Sequence, residues 1–386
     1  MSSQFVDTTL EFTGGSTYTN NGQIALNGTL LLAGSGAVTL AGTGTLTSTG
    51  GTIAAYDPSM TLVNGASHAI AGFGTVGGGG AGFTFDNLGT VAASGGPGLT
   101  FTGGAFQNNG TLAINAGSQV FVTGSFDNFA SQTLTGGTYD LSCTFGFADA
   151  DMVTNAADII LDGAGHIVDQ MYVDGLRNFA ANSGSFTLEN GASLPTLGQF
   201  TNSGSMSIGA GSTMQATGYT QTAGTTIVNG TLDTPVTLDG GTLSGTGHVT
   251  GAVVNAAGTI NPGNSPGTLY FDSSFEQDAA GVLNMEIGSG GFDRLIVGGA
   301  ADLGGTLNIL LASGYYPVYG QTFDIMEYAS YSGTFATVNL PSPWSVLIYG
   351  DHELSFEYIA PEPASWLMLA GGLGLIWRRR VCRGRV

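Results

Sequence analysis

Phe85-Asp86-Asn87-Leu88-Gly89-Thr90-Val91 is followed by Phe106-Gln107-Asn108-Asn109-Gly110-Thr111-Leu112, and this recurrence decides how the chain reads. The unit is an aromatic residue, any residue, then Asn, leading into Gly-Thr and an apolar residue. Weaker copies begin at Phe126-Asp127-Asn128 and Phe200-Thr201-Asn202. Asn87, Asn108 and Asn128 lie 21 and 20 residues apart. Gly-Thr-apolar alone returns at Gly28, Gly44, Gly51, Gly74, Gly230, Gly241, Gly258 and Gly267. A period of about 20 residues made of short alternating runs predicts one coil of a parallel β-helix. Leu30-Leu32, Val38-Leu40 and Leu112-Ile114 show the alternation that turns every second side chain inward.

Six Asn-Gly pairs, at Asn21, Asn27, Asn64, Asn109, Asn190 and Asn229, supply residues that accept left-handed turns. Alone they would equally make hairpins, so an antiparallel β meander or sandwich is the alternative fold. The period favours the solenoid, because hairpins repeat every 8–12 residues or so. Residues 1–275 form the repetitive β-helix on this reading, roughly 13 coils and on the order of 60 Å long. Residues 276–358 hold longer strand patterns and more aromatics, and are expected to cover the open C-terminal sheet edge. Residues 359–386 form a separate tail.

Composition supports an all-β chain. Charged residues are only 9% of the 386, while 66 are glycine. Glu, Lys, Arg and Gln are too few to make polar helix faces. There is no lysine, and five of the seven arginines lie at positions 378, 379, 380, 383 and 385. Residues 1–377 therefore carry a net charge near −25. Such a body repels nucleic acid and anionic surfaces, which excludes a nucleic-acid-binding role. The two cysteines, Cys143 and Cys382, make no disulfide framework.

The tail breaks with everything before it. Pro361-Glu362-Pro363 precedes an apolar run from Ala364 to Trp377, interrupted only by Ser365, and Arg378-Arg379-Arg380 follows. The prolines separate the tail from the body. Pro363 suits the first turn of a helix and Glu362 its positive end. Fourteen helical residues span about 21 Å, short of a bilayer core of about 30 Å. The arginines are expected to stay on the cytoplasmic side, leaving the body outside.

This order resembles the PEP-CTERM sorting signal of Gram-negative bacteria, over residues 361–386 only. The resemblance implies recognition by an exosortase, a membrane protease-transpeptidase, and links to exopolysaccharide and biofilm. Carried onto this sequence, Pro361, Glu362 and Pro363 are the recognition element, and Arg378, Arg379 and Arg380 the stop signal. The family also implies a secretory signal peptide. The opening Met1-Ser2-Ser3-Gln4-Phe5-Val6-Asp7 has no basic segment or apolar core, and reads as a start inside a repeat.

A second resemblance covers about 240–335. Gly241-Thr242-Leu243-Ser244-Gly245-Thr246-Gly247 runs on to Asn261-Pro262-Gly263-Asn264-Ser265-Pro266-Gly267-Thr268-Leu269. Phe292-Asp293-Arg294-Leu295-Ile296-Val297 comes next, then Leu303-Gly304-Gly305-Thr306-Leu307 and Gly320-Gln321-Thr322-Phe323-Asp324-Ile325. This order is similar to autotransporter passenger domains, and implies a β-helix displayed at the cell surface. Only 51 residues follow Phe335, too few for the translocating β-barrel.

Chemistry is sparse. The four histidines, His68, His166, His248 and His352, form no local metal motif. Gly263-Asn264-Ser265-Pro266-Gly267 matches a nucleophile-elbow pattern, but Pro266 lacks the amide that an oxyanion hole needs. Gly72-Phe73-Gly74-Thr75-Val76-Gly77 has no βαβ unit around it. The best polar constellation is Asp149, Asp151, Asp158, Asp162, Asp169 and Asp174, with His166 among them. Paired carboxylates on stacked coils would suit acid–base cleavage of polysaccharide or Ca²⁺ binding. Solvated turn aspartates are the plainer reading.

The leading expectation is an exported surface or exopolysaccharide-matrix protein, structural or adhesive, with no catalytic residues, cofactor or metal. Its partners would be an exosortase-type protease, exopolysaccharide, and a membrane through the tail before processing. The alternatives are a β-helix polysaccharide lyase or hydrolase, and a fragment of a larger adhesin.

Overall fold

Thr90–Ala93 and Thr111–Ile114 each alternate half-exposed and buried residues. They pair in parallel with Thr90 beside Thr111 and Ala93 beside Ile114. Equivalent positions of the repeat thus stack one coil apart, as a parallel, in-register solenoid requires. The chain is all-β in this computed structural model, a parallel solenoid of about 14 turns. The structure describes residues 4–6, 8–78, 83–264, 266–342 and 345–359. The expected apolar helix of the tail lies outside them.

The coils enclose a three-sided prism. The first face runs unbroken from Gln4–Val6 through Gln23–Leu26, Thr111–Ile114 and Thr225–Val228 to Thr337–Asn339. The second face begins at Thr9–Thr13 and reaches Thr144–Phe147 and His166–Val168. It resumes at Ser193–Pro195, which pairs with Thr213–Gln215. The third face begins at Ser16–Thr19 and includes Thr84–Asn87 and Ala105–Asn108. Among the described residues antiparallel ladders are confined to Phe129–Ala130 with Thr133–Leu141, to Val282–Gly288 with Gly291–Phe292, and to the strands that end the second face, with isolated antiparallel bridges at Val168–Asp174 and Gly245–Gly263. The Asn-Gly pairs sit at coil corners or between parallel strands, so no hairpin is built on them.

The recurring motif has a physical explanation. Its aromatic residue points inward and stacks on its copy in the next coil, as Phe85 does on Phe106 at 5.7 Å and Phe106 on Phe126 at 5.8 Å. Two residues on, the Asn also points inward and is fully buried at the corner. Asn64 Nδ2 donates to Asn87 Oδ1 at 2.8 Å, and Asn87 Nδ2 to Asn108 Oδ1 at 2.7 Å. Each amide also donates to a strand carbonyl of the following coil, Asn64 to Thr90 O and Asn87 to Thr111 O. The ladder resumes as Asn155, Asn182 and Asn202, linked at 2.9 and 2.8 Å. The corner backbone must turn inside an apolar core, and these amides satisfy its carbonyls there. The Gly of Gly-Thr is fixed by contact, since a Cβ on Gly110 would lie 2.1 Å from Gly89 O.

His68 joins this ladder. Its Nδ1 lies 2.7 Å from Asn64 Oδ1 and its Nε2 3.2 Å from Asn20 Nδ2. Asn64 Oδ1 can only accept, so Nδ1 carries the proton and Nε2 accepts from Asn20. Burial holds the imidazole neutral, with its pKa pushed down to about 4.

Asp293 links two segments that are distant in sequence. Its Oδ1 accepts Gly267 N–H at 3.0 Å and its Oδ2 accepts Glu286 N–H at 2.8 Å. The carboxylate thereby ties the turn ending in Gly267 to the Val282–Gly288 strand. Burial pushes its pKa up to about 6 against the pull of these two donors.

Parallel strands continue to Thr337–Asn339. Beyond them, Glu353–Tyr358 adds antiparallel to Gln321–Gly333, and Val346–Tyr349 adds to Glu353–Tyr358.

Candidate functional site

Among the described residues the second face is interrupted once, and there the solenoid opens. Among the described residues no ladder joins His166–Val168 to Ser193–Pro195. Thr196 N donates to Gln215 O at 2.8 Å, so alternate amides of this strand face Thr213–Gln215. Position 195 faces the gap instead, and Pro195 has no N–H to offer there. A proline on a free edge blunts further strand addition.

Residues 169–180 enter the gap. Asp169, buried, accepts Met171 N and Val173 N on Oδ1, both at 2.8 Å. This tight turn forces Tyr172 to φ 61° and throws Met171 and Tyr172 outward, 71% and 63% exposed. Gly175 N donates to Ile167 O at 2.9 Å, and Met152 N to Gly175 O at 2.7 Å, stitching the insertion to the coil. Leu176 and Phe179 anchor it in the core, and Phe179 packs 5.0 Å from both Phe186 and Phe200.

A cleft of about 270 Å³ remains beside the insertion. Its walls are His166, Tyr172, Asp174, Ser193 and Pro195, over a floor that includes Leu161, Ile167 and Leu194. His166 is held in one tautomer: Nδ1 donates to Ala164 O at 2.8 Å, so Nε2 accepts from Thr144 Oγ1 at 3.0 Å. The Tyr172 ring rests edge-on against Phe121, with centroids 5.2 Å apart. The cleft thus presents an aromatic ring and a few polar groups around an apolar floor.

The six aspartates divide between two places. Asp158 and Asp162 lie outward on the first face, one coil from Asp140. Burial, then Asp162, then Asp158, raises the pKa of Asp140. Asp158 accepts from Thr138 at 3.2 Å, and Asp162 from Ser142 at 2.8 Å and Asn190 at 2.7 Å. The others hold the insertion. Asp149 accepts from Gln170, and Asp151 from Gln132 and Asn178, with Arg177 3.4 Å away. Asp174 caps Leu176 N at 2.9 Å and alone reaches the cleft wall. Among the described residues no group of three or more His, Cys, Asp and Glu side chains is placed to hold a metal ion.

Outside the cleft, the first face carries regular polar rows. Thr90, Thr111 and Thr138 align outward in successive coils, as do Ser185, Ser205, Thr225, Thr242 and Thr259. Successive strands are about 4.8 Å apart, which sets the spacing of these hydroxyls. Nearer the C-terminus a surface ladder of amides replaces them, with Asn284 donating to Asn261, Asn308 to Asn284 and Asn339 to Asn308 at 2.7–2.8 Å.

Reading the sequence missed the cleft and Tyr172. A signal was present: the spacing of the buried asparagines jumps to 27 at Asn128, Asn155 and Asn182, which marks inserted residues. Pro361, Glu362, Pro363, Arg378, Arg379 and Arg380 lie outside the described residues. Among the described residues no helix is long and apolar enough to cross a membrane. No model of a known protein family matches the chain, and no curated protein matches it.

Proposed function

We propose that this is an exported surface or exopolysaccharide-matrix rod that binds polysaccharide on its flank and is processed through its C-terminal sorting signal. The observation that carries the binding half is the cleft with its exposed Tyr172 ring at the one break in the second face. A pyranose offers a C–H face to an aromatic ring, and hydroxyls to groups such as Asp174 and Ser193. The near-neutral rows of Thr, Ser and Asn give an extended glycan further hydroxyl and amide partners without charge. The processing half rests on Pro361-Glu362-Pro363, the apolar run and the arginines, for which an exosortase-type membrane protease is the partner.

The test is to incubate the full chain with a panel of bacterial exopolysaccharides and score retention and chain cleavage separately. Tyr172→Ala, at an exposed site, should weaken retention about tenfold, the equivalent of roughly 1.4 kcal/mol. Equal retention by wild type and variant would remove the cleft from the reading. The raised carboxyl of Asp140 beside Asp158 and Asp162 favours a second reading, a polysaccharide lyase or hydrolase. Chain cleavage that Asp158→Ala and Asp162→Ala abolish would replace the structural reading with that one.

A further inference from the structure

At the C-terminal end of the rod a second surface stands apart from the cleft. The loop joining Thr306–Leu311 to Gln321–Gly333 contains Tyr315-Tyr316-Pro317-Val318-Tyr319. Tyr315 and Pro317 turn inward, while Tyr316, Val318 and Tyr319 are 76%, 75% and 65% exposed. No charged residue occurs between Asp302 and Asp324, in a chain whose first 377 residues are strongly acidic.

The loop is held rigidly. Val318 N donates to Gln321 Oε1 at 3.1 Å, and Gln321 N to Val318 O at 3.0 Å. Gly320 N donates to Tyr358 O at 2.8 Å, and Tyr319 stacks on Tyr358 at 5.7 Å with the rings 6° from parallel. Tyr358 belongs to the strand from which the chain runs into Pro361-Glu362-Pro363 and the apolar segment 364–377. The exposed aromatics are therefore fixed within a few residues of the tail.

We propose that Tyr316, Val318 and Tyr319 form a foot that rests in the headgroup layer of a lipid bilayer while the tail is inserted. The inference rests on the tail-anchoring reading above. Tyrosines suit that layer because the ring is apolar and the hydroxyl stays wet. A loop without charged residues of its own suits it because the acidic body is repelled by anionic lipid. The preformed loop loses little conformational freedom on contact.

The test uses the full chain with Cys143→Ser and Cys382→Ser, incorporated into phosphatidylcholine vesicles. An environment-sensitive fluorophore is placed at Val318→Cys, or at Tyr316→Cys as a second reporter. A control reporter at Leu197→Cys, where the native residue is 74% exposed beside the cleft, sits far along the rod. Flotation with the vesicles reads anchoring. Quenching by nitroxide carried on the lipid headgroup, against quenching by aqueous iodide, reads contact. The foot predicts lipid-borne quenching at 318 several-fold above that at 197, and its loss with Tyr316→Ser and Tyr319→Ser. A chain that floats but shows equal iodide access at 318 and 197 overturns the foot alone. A chain that does not float overturns the anchoring reading and the foot with it.

Discussion

Asn87 is the position at which the corner ladder can be weighed. It is fully buried. Its Nδ2 donates to Asn108 Oδ1 at 2.7 Å and to Thr111 O at 3.0 Å, and its Oδ1 accepts from Asn64 Nδ2 at 2.8 Å. Asn87→Ala deletes all three bonds. Asn64 Nδ2 keeps Thr90 O, so its loss is partial. Asn108 Oδ1 and Thr111 O each lose a donor, at about 1–3 kcal/mol for a buried group left unsatisfied. The expected cost is roughly 3–4 kcal/mol. Asn87→Asp keeps the volume but cannot donate when ionised, and should cost at least as much, which separates lost hydrogen bonds from lost packing. The neighbouring Asn109 is exposed and its side chain donates one bond, to Asp86 at 3.2 Å, so Asn109→Ala should stay within about 0.5 kcal/mol of wild type. Urea unfolding followed by circular dichroism gives the differences. Solenoids often unfold by segments, so amide exchange in Thr90–Ala93 and Thr111–Ile114 should localise the loss. If Asn87→Ala unfolds at the same urea concentration as Asn109→Ala, the corner amides do not stabilise the coils and the account of the repeat is wrong.

Two further outcomes follow from individual residues. His68 has its folded pKa lowered from 6.5 to about 4, so the unfolded chain binds more protons between those values. Its stabilising contribution is complete above about pH 6.5 and is lost as the pH falls towards 4. After allowing for solvent screening the loss is about 2 kcal/mol. It should emerge as the difference in unfolding free energy between wild type and His68→Gln across that window, and a pH-independent difference would refute it. The two-residue turn between Phe129–Ala130 and Thr133–Leu141 places Ser131 and Gln132 at φ 50° and 58°. That geometry prefers Asn-Gly, so Ser131→Asn with Gln132→Gly should raise stability by about 1 kcal/mol in the same urea assay. A destabilised double variant would mean that the Gln132–Asp151 hydrogen bond outweighs the strain.

Much of the fold was legible because one coil's requirements are written into each repeat. Phe85, Asn87, Gly89 and Thr90 fill the core, satisfy the corner, permit close approach and face water, in that order. A period near 20 and inward alternation at Leu112 and Ile114 were enough to favour parallel coils over hairpins at the Asn-Gly pairs. The partners within the ladder were not legible, because one buried Asn bonds to another a full coil away. The role of Asp293 was hidden for the same reason: it meets Gly267 from 26 positions away in the chain. The six aspartates were legible as a cluster in sequence, but strand direction sends Asp158 and Asp162 to one face and leaves Asp174 at the cleft.

The location of the cleft follows from the logic of a repeat. In a regular coil nearly every residue serves the next coil, through the core, the corner or the outward row, so the sequence can vary little without breaking register. Inserted residues escape that duty. The coils that depart most from the period hold the strained Tyr172 and the aspartates that staple 169–180 in place, and the blunted edge at Pro195 lies in the coil that follows. Fixing Tyr172 outward costs backbone strain of about 1–3 kcal/mol, and Asp169, Leu176 and Phe179 hold it there. An insertion that served only to lengthen a loop would not need an aromatic ring held outward at that cost. On the proposed binding reading, the Tyr172 cleft, more than the aspartates themselves, is the place to look for a bound glycan.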